Sequence, residues 1–180
     1  DLATCDWVLS IDADERVTPE LAAEIKQVLR ATKDNVAYQI PRLSWYCGKF
    51  IQHAGWHPDY VLRLFERGSA RFSDDLVHER VMVSSAVREL KSSLLHYSFL
   101  NFSQVLDKVD RYSTASAVQM FKKGKKGSLK KAVLHGVWAF FRTYFIRRAF
   151  LDGAQGFALA VSNAEGTYYR YMKLWLLTKE

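Results

Sequence analysis

A mixed α/β fold is expected from the order of three patterns along the 180 residues. An apolar run ends in a cluster of acids and is followed by an amphipathic helix. Short β-type runs broken by glycine and proline come next, and the last part turns to helical periodicity rich in lysine and aromatics. With 49% hydrophobic and 25% charged residues, the composition excludes a disordered, collagenous or low-complexity chain. One domain with a substantial core is the default at this length.

Trp7 to Ile11 reads as a buried strand that stops in the acidic turn Asp12-Ala13-Asp14-Glu15. Thr18-Pro19-Glu20 then starts a helix, with a capping hydroxyl, proline at the first helical position and a carboxylate against the helix dipole. Leu21, Ile25, Val28 and Leu29 mark its buried face. Strands are expected over Val36 to Ile40, Tyr60 to Phe65, Leu76 to Val83 and Ser93 to Phe99, with Gly48, Gly55, Pro58 and Gly68 in the loops between them. After Asn101, the spacing of Val105, Val109, Tyr112 and Ala115 predicts a helix up to the breaker Gly124-Lys125-Lys126-Gly127. Ser128 caps a second helix expected to run to about Phe150, and a third follows Asp152. Residues 1–100 thus form a strand-rich part and residues 101–180 a helical, basic and aromatic extension.

The net charge is +7, from 26 Lys plus Arg against 19 Asp plus Glu. Lys122 to Arg148 holds nine basic residues and no acid, which leaves −2 for the rest of the chain. No apolar stretch approaches the roughly 18 to 20 uncharged residues of a spanning helix. Cys5 and Cys47 lack CxxC spacing, so neither a disulfide framework nor a zinc cluster is expected, and a reducing compartment suits the chain. An apolar run so soon after Asp1 reads as a chain whose natural N-terminal part lies upstream.

Asp12 and Asp14, one residue apart at the end of a strand, can both project from the sheet edge where open α/β folds bind ligands. Their hard oxygens suit Mg²⁺ or Mn²⁺, ions that commonly share coordination with a substrate diphosphate. An acidic turn that caps a helix explains them equally well. An EF-hand does not fit, since Arg16 stands where a third oxygen ligand belongs. Beyond the acidic pair Asp74-Asp75, His78 and Glu79 point to opposite faces of a strand. Met82 occupies the second histidine position of HExxH, which excludes that zinc motif. Glu79 is either a general base or an exposed carboxylate paired with Arg80. His96, flanked by apolar residues, points inward or into a cleft, as a core residue or as a ligand joined by partners from elsewhere. Trp45 and Trp56 sit in polar, glycine- and proline-bearing loops that suit stacking on a sugar, or ordinary loop packing.

In combination the sequence resembles the inverting family 2 glycosyltransferases of GT-A fold, in particular the bacterial lipopolysaccharide or lipooligosaccharide core β-1,4-glucosyltransferase-like group. The residues that carry the resemblance are Asp6-Trp7-Val8-Leu9-Ser10-Ile11-Asp12-Ala13-Asp14-Glu15 with Pro19-Glu20-Leu21, Gly55-Trp56-His57-Pro58-Asp59 with Leu62-Arg63-Leu64-Phe65, Val77-His78-Glu79, His96-Tyr97-Ser98, and Arg147-Arg148-Ala149-Phe150-Leu151-Asp152-Gly153. The resemblance implies the C-terminal part of a GT-A fold, a Rossmann-like nucleotide-diphospho-sugar transferase, with a helical extension. By similarity, Asp12-Ala13-Asp14 is the DxD motif that binds the nucleotide sugar through a divalent cation (Mg or Mn), with His96 completing the metal site. Glu79 becomes the base that deprotonates the acceptor, with Asp75 in reserve, while Trp45, Trp56, Asp59, Arg63 and His78 bind substrate. The donor implied is a nucleotide-diphosphate sugar such as UDP-glucose, and the acceptor a saccharide or lipid-linked saccharide. Only eleven residues precede Asp12, so most of the nucleotide-binding half is expected upstream.

The basic segment, interleaved with Trp138, Phe140, Phe141, Tyr144 and Phe145, suits a helix lying on an anionic membrane surface. Together with the resemblance to a bacterial lipopolysaccharide core group, this implies a protein in the cytoplasm, peripheral on the inner face of the bacterial inner membrane. A core helix with a solvated lysine face is the plain alternative. The rival classes are a nucleic-acid-binding module, for which no recognised motif is present, and an inactive sugar-binding fragment.

Overall fold

The computed structural model describes residues 3–31, 36–72 and 81–179. The fold is mixed α/β, in the order β1 (Trp7–Leu9), β2 (Glu15–Val17), α1 (Pro19–Ala31), β3 (Val36–Tyr46), β4 (Lys49–Phe50), β5 (Asp59–Glu66), β6 (Ala70–Phe72), β7 (Val81–Val83), β8 (Ala86–Glu89), β9 (Leu94–Phe99), α2 (Phe102–Lys122), α3 (Leu129–Phe141), a π-helical turn (Arg142–Ile146), a 3₁₀ turn (Ala149–Asp152) and α4 (Ala154–Leu177). Two compact units result, one of Asp1–Ser44 with His57–Tyr97 and one of Trp45–Trp56 with Ser98–Glu180. The excursion 45–56, which lies in the strand-rich stretch of the sequence, groups with the helices because its own core partners come from them.

In the sheet unit the strands run β1-β5-β3-β9-β2. β5 lies antiparallel between β1 and β3, with Leu9 opposite Leu64 and Arg42 opposite Asp59. β2 lies antiparallel to β9, with Glu15 opposite His96, and β8 runs parallel to the start of β3. β1 and β2 are separated by a single tight turn, yet they stand at opposite ends of this order. A flat sheet would place them about 19 Å apart, four spacings of about 4.8 Å. A turn closed by the Glu15 N–H on the Asp12 carbonyl (3.0 Å) reaches less than that, so the sheet curls and draws β2, β3, β5 and β9 around the acidic turn.

Period-two alternation puts Val36, Tyr38 and Ile40 on one face of β3, where they pack with Leu64, Leu90, Leu94 and Leu21 of α1. Trp7, Leu9, Ile25, Val28 and Leu29 extend this core. The expected cap of α1 forms, with the Leu21 N–H donating to Thr18 Oγ1 at 3.1 Å. β3 continues past Ile40, where the sequence pattern ends, because Pro41 has an extended-compatible φ and removes only one donor from the ladder. Of the expected strand Leu76 to Val83, only Val81–Val83 falls among the described residues, as β7.

In the helical unit, Asn101 caps α2 by accepting from the Gln104 N–H (3.0 Å), and Ser128 caps α3 by accepting from the Lys131 N–H (3.2 Å). α4 packs against both. α3 stops at Phe141, well short of Phe150, and the chain reverses through Arg148 in the left-handed region (φ 57°). Asp152 fixes the reversal. Its carboxylate, 1% exposed, accepts from the backbone N–H groups of Gln52 (3.1 Å) and His53 (2.9 Å). The Ala54 N–H donates to the Arg147 carbonyl (2.8 Å). A Cβ at Gly156 would lie 1.8 Å from the Ala149 oxygen, so only glycine admits this approach.

The faces of α3 are inverted relative to a core helix. Ala132, Gly136, Ala139 and then Thr143 form the buried side, where Gly136 sits against Tyr168 and Ala164 of α4. Leu134, Val137, Trp138, Phe141, Phe145 and Ile146 are exposed, Val137 by 65%. The plain alternative, a core helix with a solvated lysine face, is not what forms, because the small residues are the ones that allow close helix packing.

Candidate active site

The acidic turn that follows β1 is held from several sides of the curled sheet. After Leu9, the Ser10 N–H donates to the Arg63 carbonyl (2.8 Å), and the turn delivers Glu15 into β2. Glu15 is 1% exposed and accepts from the Asp12 N–H (2.9 Å) and from Arg63 Nη2 (2.7 Å), with Arg42 Nη1 at 3.8 Å. Arg63 Nη2 also donates to Asp12 Oδ2, so one guanidinium clamps both ends of the turn. Burial opposes the charge of Arg63, but hydrogen bonds and attraction from Glu15 and Asp12 outweigh it and raise its pKa above the ordinary arginine value. Arg63 Nε is buried and has no hydrogen-bond acceptor among the described residues. Asp59 is engaged by Arg42, whose Nε donates to Oδ2 at 3.0 Å, and His57 Nδ1 lies 3.1 Å from the Arg42 carbonyl.

Asp14 goes to a different partner. The strand pairing that sets Glu15 opposite His96, together with the Tyr97 N–H donating to the Asp14 carbonyl (2.8 Å), brings His96 Nε2 to 3.3 Å from Asp14 Oδ2. The other ring nitrogen, Nδ1, lies 3.2 Å from Ser44 Oγ on β3. When Nδ1 carries the proton and donates to Ser44, the Nε2 lone pair faces Asp14.

Asp14 and His96 are the residues that could hold a divalent cation. Adjacent ligands of an octahedral Mg²⁺ at about 2.1 Å stand about 3.0 Å apart, close to the observed oxygen–nitrogen spacing. Among the described residues no group of three His, Cys, Asp or Glu side chains converges for a metal. Arg63 takes Asp12 Oδ2 and leaves the rest of that side chain 56% exposed, so the turn offers the Asp14 carboxylate and the His96 imidazole together, with Asp12 beside them. Such a sparse set leaves coordination positions for water and for phosphate oxygens.

Of the candidates read from the sequence, Asp12, Asp14, His96, Asp59 and Arg63 belong to the sheet unit. Trp45 and Trp56 belong to the helical unit, where Trp45 meets Phe50 edge-on at 4.8 Å and Trp56 meets Tyr46 edge-on at 5.7 Å. Glu79, Asp75 and His78 lie outside the described residues. Sequence reasoning did not single out Glu15, Arg42 or Ser44 as parts of the site. A signal for Glu15 was present, because a cation such as Arg63 inside the apolar run Tyr60 to Phe65 requires a buried partner. Nothing local distinguishes Arg42 or Ser44.

No family model matches the chain. It is 31% identical over 180 residues to an uncharacterized glycosyltransferase of Rickettsia typhi, an alignment that covers 94% of this chain and 62% of that protein. A counterpart in Rickettsia prowazekii has the same identity and coverage. The lipopolysaccharide core biosynthesis glycosyltransferase LpsC of Rhizobium meliloti is 28% identical over 176 residues, covering 94% of the chain and 63% of LpsC. The relatives are named glycosyltransferases. The chain spans less than two thirds of the length of these curated relatives, and the similarity takes in both of its units.

Proposed function

We propose that this chain is the metal-binding and acceptor-side portion of a GT-A family 2 glycosyltransferase that inverts the anomeric centre. It would move a sugar, glucose in the simplest case, from a nucleotide-diphosphate donor such as UDP-glucose to a lipopolysaccharide core or other lipid-linked saccharide. The observation that carries the reading is Asp14 beside His96 in a strand-end acidic turn, and the named activity of relatives over nearly the whole chain supports it. Asp14 and His96 would hold Mg²⁺ or Mn²⁺, which when bound neutralises charge on a departing diphosphate. Arg63 holds the turn in register through Asp12 and Glu15. Asp12, held by Arg63 through one oxygen, would stand near the nucleotide ribose or the metal. Glu79, or Asp75, would take the acceptor hydroxyl proton, and Asp59 and His78 would contact the sugars. In the full-length protein, Asp14→Ala and His96→Ala are expected to lower transfer from a sugar nucleotide, read as nucleoside diphosphate release, by at least about 10²-fold, and Glu79→Gln by about 10² to 10⁴ with donor binding retained. Transfer within threefold of wild type in both Asp14→Ala and His96→Ala would remove this site from the reaction.

The exposed stripe of α3 supports a reading of where such an enzyme would work. We infer that Val137, Trp138, Phe141, Phe145 and Ile146 rest on an anionic bilayer surface, with Lys122 to Lys131 beside them on its headgroups. Among the described residues no helix is long and apolar enough to cross a membrane. Each well-placed basic residue contributes about 1 kcal/mol near an anionic surface, so a few suffice for reversible adsorption. Co-sedimentation with vesicles should rise with anionic lipid, fall as salt shortens the Debye length from about 10 Å to 3 Å, and weaken in Trp138→Ser. Equal partition onto neutral and anionic vesicles, or binding to generic RNA with none to lipid, would overturn this placement.

A further inference from the structure

His96 stands on a strand with a neighbour on each side, since β9 has β3 along one edge and β2 along the other. Its ring reaches both ways. Nδ1 lies 3.2 Å from Ser44 Oγ on β3, and Nε2 lies 3.3 Å from Asp14 Oδ2 in the turn that enters β2. Ser44 is 7% exposed, the imidazole 17% and the Asp14 side chain 51%, so the ring bridges from the interior of the sheet unit to the open side of the turn. On the inner side water has little access, and the Ser44 hydroxyl is the group that meets Nδ1.

The three groups differ in what they can do. An ionised carboxylate only accepts hydrogen bonds, a neutral imidazole carries one donor nitrogen and one acceptor nitrogen, and a hydroxyl is donor and acceptor at once and turns to suit. Before a cation binds, the charge on Asp14 draws the ring proton to Nε2, which leaves Nδ1 bare and makes the Ser44 hydroxyl the donor. With a divalent cation on Asp14, Nε2 has to present its lone pair, so the proton stands on Nδ1 and Ser44 Oγ becomes the acceptor. No heavy atom has to move between the two arrangements. A backbone carbonyl or a carboxylate in place of Ser44, the commoner partner of a ligating histidine, would only accept. It would hold the proton on Nδ1 and set the Nε2 lone pair against the Asp14 carboxylate before binding.

We propose that Ser44 is a positioning residue that lets His96 change tautomer, so that the ring suits Asp14 before a divalent cation binds and suits the cation afterwards. The inference rests on the metal site proposed above. In the change one proton leaves Nε2 for water and one is taken from water at Nδ1, so the ring stays neutral and no net proton is released. Of the two bonds to Ser44, the one donated by Nδ1–H is the stronger, because a cation on the far nitrogen polarises the ring, and charge-assisted hydrogen bonds are roughly twice as strong as neutral ones. The hydroxyl therefore favours the cation-bound form.

Two measurements on the full-length protein test it. Electron paramagnetic resonance of free Mn²⁺ reads the affinity for the ion, and ¹⁵N NMR of the imidazoles at about pH 8 reads which ring nitrogen carries the proton. His96 is assigned from the signal missing in His96→Gln, and Zn²⁺ serves as the diamagnetic ion for the NMR arm. His96 is expected to carry its proton on Nε2 before metal is added and on Nδ1 afterwards. Ser44→Ala should weaken Mn²⁺ binding about tenfold with unchanged circular dichroism, whereas Ser44→Thr, which restores the hydroxyl, should bind within about threefold of wild type. The switch alone is overturned by a ring that carries its proton on Nδ1, or on both nitrogens, before metal is added. It is equally overturned by Ser44→Ala binding Mn²⁺ within about twofold of wild type, or by Ser44→Thr binding as weakly as Ser44→Ala. Failure of the wild type to bind Mn²⁺ would overturn the metal site and the switch with it.

Discussion

Glu15→Leu is expected to destabilise the sheet unit by about 3 kcal/mol, although leucine is apolar, of similar bulk and sits well in a strand. The Glu15 carboxylate is 1% exposed and accepts from the Asp12 N–H and Arg63 Nη2. Without it, the Arg63 side chain, only 12% exposed, retains Asp12, whose own side chain is 56% exposed. Breaking one side of a buried ion pair costs about 3 to 5 kcal/mol. The surviving surface pair with Asp12 returns at most about 1 kcal/mol, and the unpaired Asp12 N–H loses little because the turn can be hydrated. Glu15→Gln keeps one acceptor oxygen and should cost about 1 to 2 kcal/mol. The decisive variant is Glu15→Leu combined with Arg63→Met. Removing both charges abolishes the stranded cation, and stability should return to within about 1 kcal/mol of wild type.

Urea denaturation followed by circular dichroism and tryptophan fluorescence measures all three variants, provided the slope m is unchanged so that midpoint shifts report stability. Where the two units unfold separately, the shift belongs to the transition that reports Trp7. A single Glu15→Leu variant within about 0.5 kcal/mol of wild type would show that the carboxylate is not the anchor of the turn. A double variant no more stable than the single one would show that packing, and not a stranded arginine, sets the cost.

Two further perturbations probe the rest of the fold. Glu24 on α1 accepts from the N–H groups of Lys91 (2.9 Å) and Ser92 (2.7 Å). Partial burial disfavours its charge, but these donors, the Ser92 side chain and the Lys91 charge prevail and hold its pKa below the ordinary value of 4.5. Because the folded pKa is the lower one, its contribution is complete above that ordinary value and is lost as pH falls through the folded value, so Glu24→Gln should flatten the fall in stability below about pH 5. Identical pH profiles for variant and wild type would contradict this. Asp152→Ala strands two backbone N–H groups of the 45–56 excursion and should lower the stability of the helical unit by about 3 kcal/mol, read as a lower urea midpoint, whereas a shift under about 1 kcal/mol would mean that the reversal after Arg148 is held by packing alone.

What could be read from the sequence follows the range over which each feature is determined. Thr18, Asn101 and Ser128 cap helices through bonds three residues away, so their role is written locally. β2 and β8 are invisible in the pattern, because Glu15–Val17 and Ala86–Glu89 lack strand-like alternation and exist through pairing with β9 and β3. The same distinction divides the site. Asp12, Asp14 and His96 stand out by residue type and position. Arg42 and Ser44 take their meaning from Glu15 and His96, partners 27 and 52 positions away, which only the curl of the sheet brings together.

The third helix shows why a correct period can still leave the facing open. Its apolar residues recur at helical spacing, and that spacing is satisfied equally by a stripe turned inward or outward. Side-chain size breaks the tie. Ala132, Gly136, Ala139 and Thr143 recur at intervals of four, three and four, the rhythm of a seam where two helices approach closely, and Gly136 meets Ala164 and Tyr168 of α4 on that side. Once the small residues claim α4, geometry forces Leu134, Val137, Trp138, Phe141 and Phe145 to the opposite side. Burying any one of these large side chains is worth about 1.5 to 3 kcal/mol, so leaving so many exposed on one face is a standing cost that water alone does not offset. With basic residues from Lys122 to Lys131 immediately before the stripe and no acid before Asp152, the anionic lipid surface proposed above would meet both requirements at once, taking the rings into its headgroup boundary and the ammonium groups onto its phosphates.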